Sequence, residues 1–259
     1  YLVRAYRGKN QKKGSCIWIM EKLPFFIFKS QSTLDFGLLI SEKGSYKGAA
    51  RDISYASVPG RSGDLVIDNR RYKNIKIPYK CKLLNNTKRD FNELAHQIRA
   101  WLLAQHGYFK LWDSYDTKYY RLGSYSDEVN IEQELRDLGS VNLSFNCKPF
   151  KYSFEGQQPI TLTAASSLYN AEFYSSAPYI KIIGSGTVTL TVNNVTITFA
   201  DIDDYIEVDS EIMNAYKGTI PQNNKMAGAA FPMLQPGNNT ISWTGNVQRL
   251  EIVPRWCCL

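Results

Sequence analysis

From Leu23 onward the apolar residues come in short runs: LPFFIFK, DFGLLISEK, ARDISYASVPG, DLVIDN and NIKIPYKCKLL. Turn residues part them at about ten-residue spacing, which predicts an antiparallel sheet or barrel. Asp68-Asn69 with Arg70-Arg71 reads as a polar turn between the last two runs. The period then changes. Phe91, Leu94, Ala95, Ile98, Trp101 and Leu102 recur at helical spacing, Thr87 stands three before Asp90 as a capping-box-like start, and Gly107 supplies a stop. A single apolar stripe predicts a helix lying on the sheet with Arg89 and Glu93 outward. YFKLWDSYD and KYYRLGSYS then predict a hairpin and SVNLSFNCKPF an alternating strand. The charged stretch EVNIEQELRDLGS between them fits a helical turn or a hairpin arm equally.

Past residue 152 the text becomes wholly β and rich in Thr and Asn: PITLTAA, PYIKIIGSG, TVTLTVNN, VTITFADI, YIEVDSEI, NTISWTG and QRLEIVPRW. Short alternating strands with Gly-Ser-Gly and Asn-Asn turns predict a compact β-sandwich. Asn193-Asn194, between TLTV and TITF, is a tight-hairpin signal. The reading is therefore of two β-rich domains, 20–152 and 153–259. Residues 1–19 show neither strand alternation nor helical periodicity and read as a translated leader or cloning remnant, with Met20 as the natural start.

Charge sharpens this picture. The net formal charge of +7 arises from +5 in residues 1–19, +5 in 20–150 and −3 in 151–259. Nucleic-acid binders carry a sustained basic stripe on their folded part, and this distribution argues against one. The five cysteines, at 16, 81, 147, 257 and 258, form no CxxC or CxxH pair, which leaves zinc without a ligand set and favours free thiols. No run approaches eighteen apolar residues.

Candidate chemistry is sparse. His96 and His106 share no helical face with a serine or carboxylate at catalytic spacing. Val58-Pro59-Gly60-Arg61-Ser62-Gly63 holds more turn residues than a tight turn needs. The surplus suits a phosphate cradle, a close approach of a partner backbone, or a long hairpin loop. A phosphate loop needs four residues between its glycines and a helix after them; here a strand comes next. In the acidic run ADIDDYIEVDSEI an EF-hand counted from Asp201 would need Gly and Glu where Ile206 and Ile212 stand. Its acids alternate largely with Ile202, Ile206, Val208 and Ile212, as on the solvated face of a bent strand. Trp243 and Trp256 are candidates for a sugar or partner surface, against the plainer role of core or edge residues. No catalytic constellation, metal set or cofactor motif emerges, so the residues point to a protein made of surfaces, not an enzyme.

The runs STLDFGLLISE, RDISYASVPGRSGDLVIDNRRYKNIKIPYKCKL and FNCKPFKYS, in that order, resemble the distal tail proteins of siphophages that infect Gram-positive hosts, and of related prophages. The marks are Asp35-Phe36-Gly37, the Val58–Gly63 loop and the closing strand Phe145-Asn146-Cys147-Lys148-Pro149-Phe150. SAPYIKIIGSG, DYIEVDSEIMNAYKG, NNKMAGAAFPMLQPGNNTISW and EIVPRW resemble the rear half of the longer members. The resemblance implies a split-barrel-like β-domain with one helix and a projecting hairpin, then a galectin-like or carbohydrate-binding-module-like β-sandwich. It implies a homohexameric hub ring in the virion, at the distal end of the tail, assembled in the host cytoplasm. The ring would join the major tail or tube protein to a tail-tip protein and carry receptor-binding proteins or meet host wall saccharide. Pro59, Gly60, Arg61 and Gly63 would then face a neighbouring subunit or the tube, and an arm at about 113–140 would reach a neighbour or a tip protein. The rival implication is a carbohydrate-binding module for wall polysaccharide. Against it, residues 153–259 hold no histidine, and their arginines are Arg249 and Arg255.

Overall fold

The computed structural model describes residues 23–45, 48–84, 90–127, 134–135 and 138–259. The leader expected at 1–19, Thr87 and Arg89 lie outside them. The fold is mainly β and divides into two compact units. Of the described residues, the first comprises 23–45, 76–84, 90–115, 123–127, 134–135 and 138–146; the second comprises 48–75, 116–122 and 147–259.

The first sheet is ordered β2(Gln31–Ser32), β1(Phe26–Phe28), β7(Phe109–Asp113), β8(Tyr119–Ser124), β9(Ser140–Ser153), β6(Ile75–Leu83) and β3(Leu38–Lys43), with β19(Cys257–Cys258) also paired to β9. Helix α1(Phe91–Leu103) buries Leu94, Ala95, Ile98, Trp101 and Leu102 of the predicted stripe and leaves Phe91, in its first turn, half-buried. Asp90 caps it by accepting from the N–H groups of Asn92 and Glu93. At the other end Lys29 Nζ donates to the carbonyls of Trp101, Leu102 and Gln105, orphan acceptors of a final turn. Trp101 anchors the helix: its indole stacks on Phe26 and Phe36, and its Nε1–H reaches the Phe28 carbonyl at 2.8 Å. Phe26, Phe28, Tyr79 and Phe145 complete an aromatic core. Beside it, the nearly buried Asp113 carboxylate holds Lys43 Nζ at 2.7 Å and the Tyr79 hydroxyl at 2.6 Å.

Two strands stand apart from this sheet. β4(Arg51–Ala56) and β5(Leu65–Tyr72) pair with each other as a separate two-stranded sheet. The polar turn read at Asp68–Arg71 is instead part of β5. There the register slips, Arg51 facing Tyr72 and Ile53 facing Asp68, with Arg70 at φ 54°. This is a bulge, which a polar tetrapeptide imitates in sequence. Of the arm expected at about 113–140, Tyr119–Ser124 belongs to the main sheet, and residues 128–133 and 136–137 lie outside the described residues. The strand pair that stands apart is β4–β5.

The second sheet has nine strands built on two long ones, β12(Tyr179–Val192) and β18(Gly237–Val253), paired along their lengths. On the outer side of β12, its first half meets β14(Tyr205–Asp209) and its second half β13(Val195–Ile202). β18 meets β10(Ile160–Leu162) and β11(Ser166–Asn170) in the same divided way. Both halves feed one core, in which Ile180, Ile182, Ile206 and Leu250 join Leu190, Ile197, Phe199 and Ile241. Gly184-Ser185-Gly186 is therefore not a turn between strands, as its composition suggests. It is a kink inside β12 where β18 crosses closely: a Cβ on Gly184 would fall 2.2 Å from the Asn246 carbonyl oxygen, and one on Gly245 would fall 2.4 Å from that of Thr187. Glycine marks close backbone approach as readily as a turn. The Asn193-Asn194 hairpin is present, with Asn193 at φ 54°.

Candidate functional site: an exposed hairpin

β4 and β5 are joined by residues 57–64, which contain Pro59, Gly60, Arg61 and Gly63. The Arg61 N–H donates to the Val58 carbonyl at 3.1 Å, and Gly60 sits at φ 78°. Proline at the second position and a left-handed glycine at the third make a type II turn, which answers why both residues are needed. Gly63 is also left-handed, at φ 83°. Open space surrounds a Cβ built on either glycine, so within this chain they serve the backbone angle and not a close approach. Arg61 is exposed, and no described residue holds its guanidinium.

The faces of the hairpin are unlike ordinary surface. Register places Tyr55 opposite Val66 on one face and Ala56 opposite Leu65, then Ser54 opposite Ile67, on the other. Tyr55 is 67% exposed and Val66 57%, and Leu65 and Ile67 are exposed on the opposite side. A two-stranded ribbon with apolar side chains on both faces and free strand edges buries too little to stabilise itself alone.

Its base is fastened by charge. Arg51 pairs with Asp68 at 2.7 Å, and Arg71 Nε and Lys73 Nζ flank Asp52 at 2.7 and 3.4 Å. The Arg71 guanidinium holds the Asp52 carboxyl below the ordinary carboxylate range, and Arg51 does the same for Asp68. The Tyr72 ring meets Phe150 and Tyr174 edge-on. The tip is thus free while the base is fixed.

Two independent likenesses bear on this geometry. Residues 31–147, which span the hairpin, match the family of phage tail protein RIFT-related domains. That match covers somewhat under half of the chain. Among solved structures it is similar to the crystal structure of the SPP1 Dit protein, presented as a paradigm of the hub adsorption apparatus in phages infecting Gram-positive hosts. The TM-score is 0.68 at 13% identity, over 89% of this chain and 98% of that one. The chain therefore shares the fold of that protein. No curated protein sequence matches the chain.

The other candidates of the sequence fall elsewhere. Trp256 is 8% exposed and belongs to the second core, so its ring offers no stacking face; the bulk of an indole beside Val-Pro-Arg is spent on packing. Trp243 is half-buried, packs against the same core and stands across from Leu190. The acidic run is not one bent strand. Asp201 and Asp204 turn the chain at φ 50° and 69°, and Asp209 points inward to a bidentate pair with Arg255 at 2.7 and 2.8 Å. Among the described residues no cluster of His, Cys, Asp and Glu suits a metal ion. Nor is any described helix long and apolar enough to cross a membrane.

The sequence reading missed a polar ladder across the second sheet. Glu251, Lys181 and Glu207 lie side by side on β18, β12 and β14. Arg249 bonds Glu251, the Tyr179 hydroxyl donates to Glu207, and Lys181 Nζ stands 4.2 Å above the Tyr205 ring. Cross-strand partners come from register, which a single strand's text does not contain.

Proposed function

We propose that this protein is the hub of a phage tail. Six copies would form a ring that joins the tail tube to the tip or baseplate and carries peripheral adsorption proteins. Residues 20–152 would build the ring and residues 153–259 would form the peripheral sandwich. The observation that carries this reading is the match of residues 31–147 to the phage tail family, within a fold similar to that of the SPP1 hub protein over 89% of this chain. The hairpin supplies a physical reason for assembly: apolar faces and strand edges left open in one copy are what a closed ring covers. Tyr55, Val66 and Leu65 would pack on a neighbour, and Arg61, at the turn built by Pro59, Gly60 and Gly63, would meet a carboxylate of the neighbour or of the tube protein. The role is structural. The remaining partners in this reading are the tube protein, a tail-tip protein and a receptor-binding protein.

The test is solution mass by multi-angle light scattering on residues 20–259 over a range of concentrations. A species of six subunits is expected. Arg61→Glu should weaken that species, and an unchanged hexamer in this variant would remove Arg61 from the interface. A strict monomer, both alone and with the tube protein added, would overturn the hub reading.

A further inference from the structure

Residues 254–258 lie across two other segments of the second unit. Pairing of Cys257 with Tyr152 and of Cys258 with Lys151 adds β19 to the end of β9. The Ser153 N–H donates to the Trp256 carbonyl at 3.0 Å, and the Arg255 N–H donates to that of Gly156 at 2.6 Å. The fit at Gly156 is close, since a Cβ there would lie 2.4 Å from the Trp256 nitrogen. On the other side the Ser176 hydroxyl donates to the Pro254 carbonyl at 2.7 Å, and Cys257 Sγ to that of Ser175 at 3.6 Å. The crossing is pinned by Arg255, itself held at φ 57°, whose guanidinium forks onto Asp209 and also lies 3.4 Å from Glu211.

The segment reached through Ser175 and Ser176 is a built turn. Asn170, 1% exposed, donates to the Tyr174 carbonyl and accepts from the Glu172 N–H. This turn holds Phe173 out at 88% exposure. Residues 151–157, on the opposite side, carry the chain out of β9 into β10. One short segment thus touches both the passage out of β9 and the turn that presents an aromatic side chain, a turn that Ser176 also ties to Leu234 and Glu172 to Tyr119.

We propose that residues 254–258 are a strap, and that its opening is one cooperative local event which frees residues 151–157 and the Phe173 turn together while the core of the second sheet stays folded. The strap's hold rests on one half-buried guanidinium fork, a few main-chain bonds and one large side chain. The long strands β12 and β18 are paired from Tyr179 opposite Val253 to Val192 opposite Ile241, with breaks of register at Ile183/Gly184 and Ser185/Thr189. Regions with fewer buried contacts open below the global free energy and as contiguous units.

Native-state hydrogen exchange of the full chain, followed by mass spectrometry in graded urea, tests this. Residues 151–157, 172–176 and 254–258 should exchange in concert and ahead of β12 and β18. Arg255→Ala removes the fork and strands the Asp209 carboxylate, so exchange of all three segments should rise about tenfold or more with β12 unchanged. Gly156→Ala, which disturbs the same contact from the other side, should produce the same pattern. If residues 151–157 and 172–176 keep their rates while 254–258 speeds up, the strap fastens nothing. If β12 and β18 accelerate equally, the segment is merely part of the global core. Either result overturns the proposal. Should Arg255→Ala fail to fold, the urea dependence of the unsubstituted chain decides alone: three coincident openings below the global one, or none.

Discussion

Asp209 shows two effects acting on one carboxyl in opposite directions. Burial pushes its pKa up, the Arg255 fork pulls it down with help from the Glu211 and Ile212 N–H groups, and the net shift is downward. A carboxylate depressed in the folded state adds stability above its unfolded value, about 4, and loses it as pH falls through the folded one. The urea midpoint of the second unit should therefore drop as pH is lowered below about 4. Asp209→Asn should remove that part of the acid dependence and cost about 1–3 kcal/mol at pH 7, because Arg255 loses its bidentate partner and keeps only Glu211 at 3.4 Å. Urea titrations at pH 7 and pH 3 check both statements; an Asn variant as stable as the parent at pH 7 would contradict the second. None of this was legible in the run EVDSEI, where Asp209 looks like one more surface acid. Its partner lies forty-six positions away, and only folding brings it near.

At the level of elements, periodicity found most of what exists. The helix, the β7–β8 hairpin and the Asn193-Asn194 turn stand where the pattern places them. It failed where glycine has two meanings: Gly184 and Gly186 read as a strand end and prove to be a kink in a fourteen-residue strand. The hairpin β4–β5 shows the opposite case, since its strands and loop were plain in the sequence but its isolation was not. Exposed apolar residues on both faces of that ribbon separate two kinds of substitution. Val66→Glu touches no packed neighbour within the copy, so the monomer's unfolding free energy should move by no more than about 0.5 kcal/mol while assembly into the ring weakens. Gly60→Val meets no clash, yet forces a β-branched residue to φ 78° and should unsettle the turn by about 1–2 kcal/mol. Sedimentation velocity alongside urea unfolding separates the two effects. A Val66→Glu chain that assembles normally would remove this face from the interface.

The whole molecule interleaves its chain more than a linear reading suggests. A boundary at 152/153 is the natural place to cut by composition, where Thr- and Asn-rich strands begin. Yet the compact unit that contains the rear sheet also draws in 47–75 and 116–122. Within it Tyr174 packs on Tyr72 and Phe150, Glu172 accepts from the Tyr119 hydroxyl at 2.7 Å, and β19 covers the end of β9. A fragment ending at residue 152 loses Tyr174, Glu172 and β19 while keeping Tyr72, Phe150 and Tyr152, whose rings would then be more open to water. Exposed aromatic surface of this kind drives association and dye binding. Residues 20–152 expressed alone should therefore bind the hydrophobic dye ANS strongly and unfold at lower urea than the full chain. Restoring 153–259 on a separate polypeptide should reverse both effects by re-covering those rings. A fragment that is free of dye binding and as stable as the parent would show that the front half needs nothing from the rear. The interleaved unit would then be a contact of convenience and not a condition of folding.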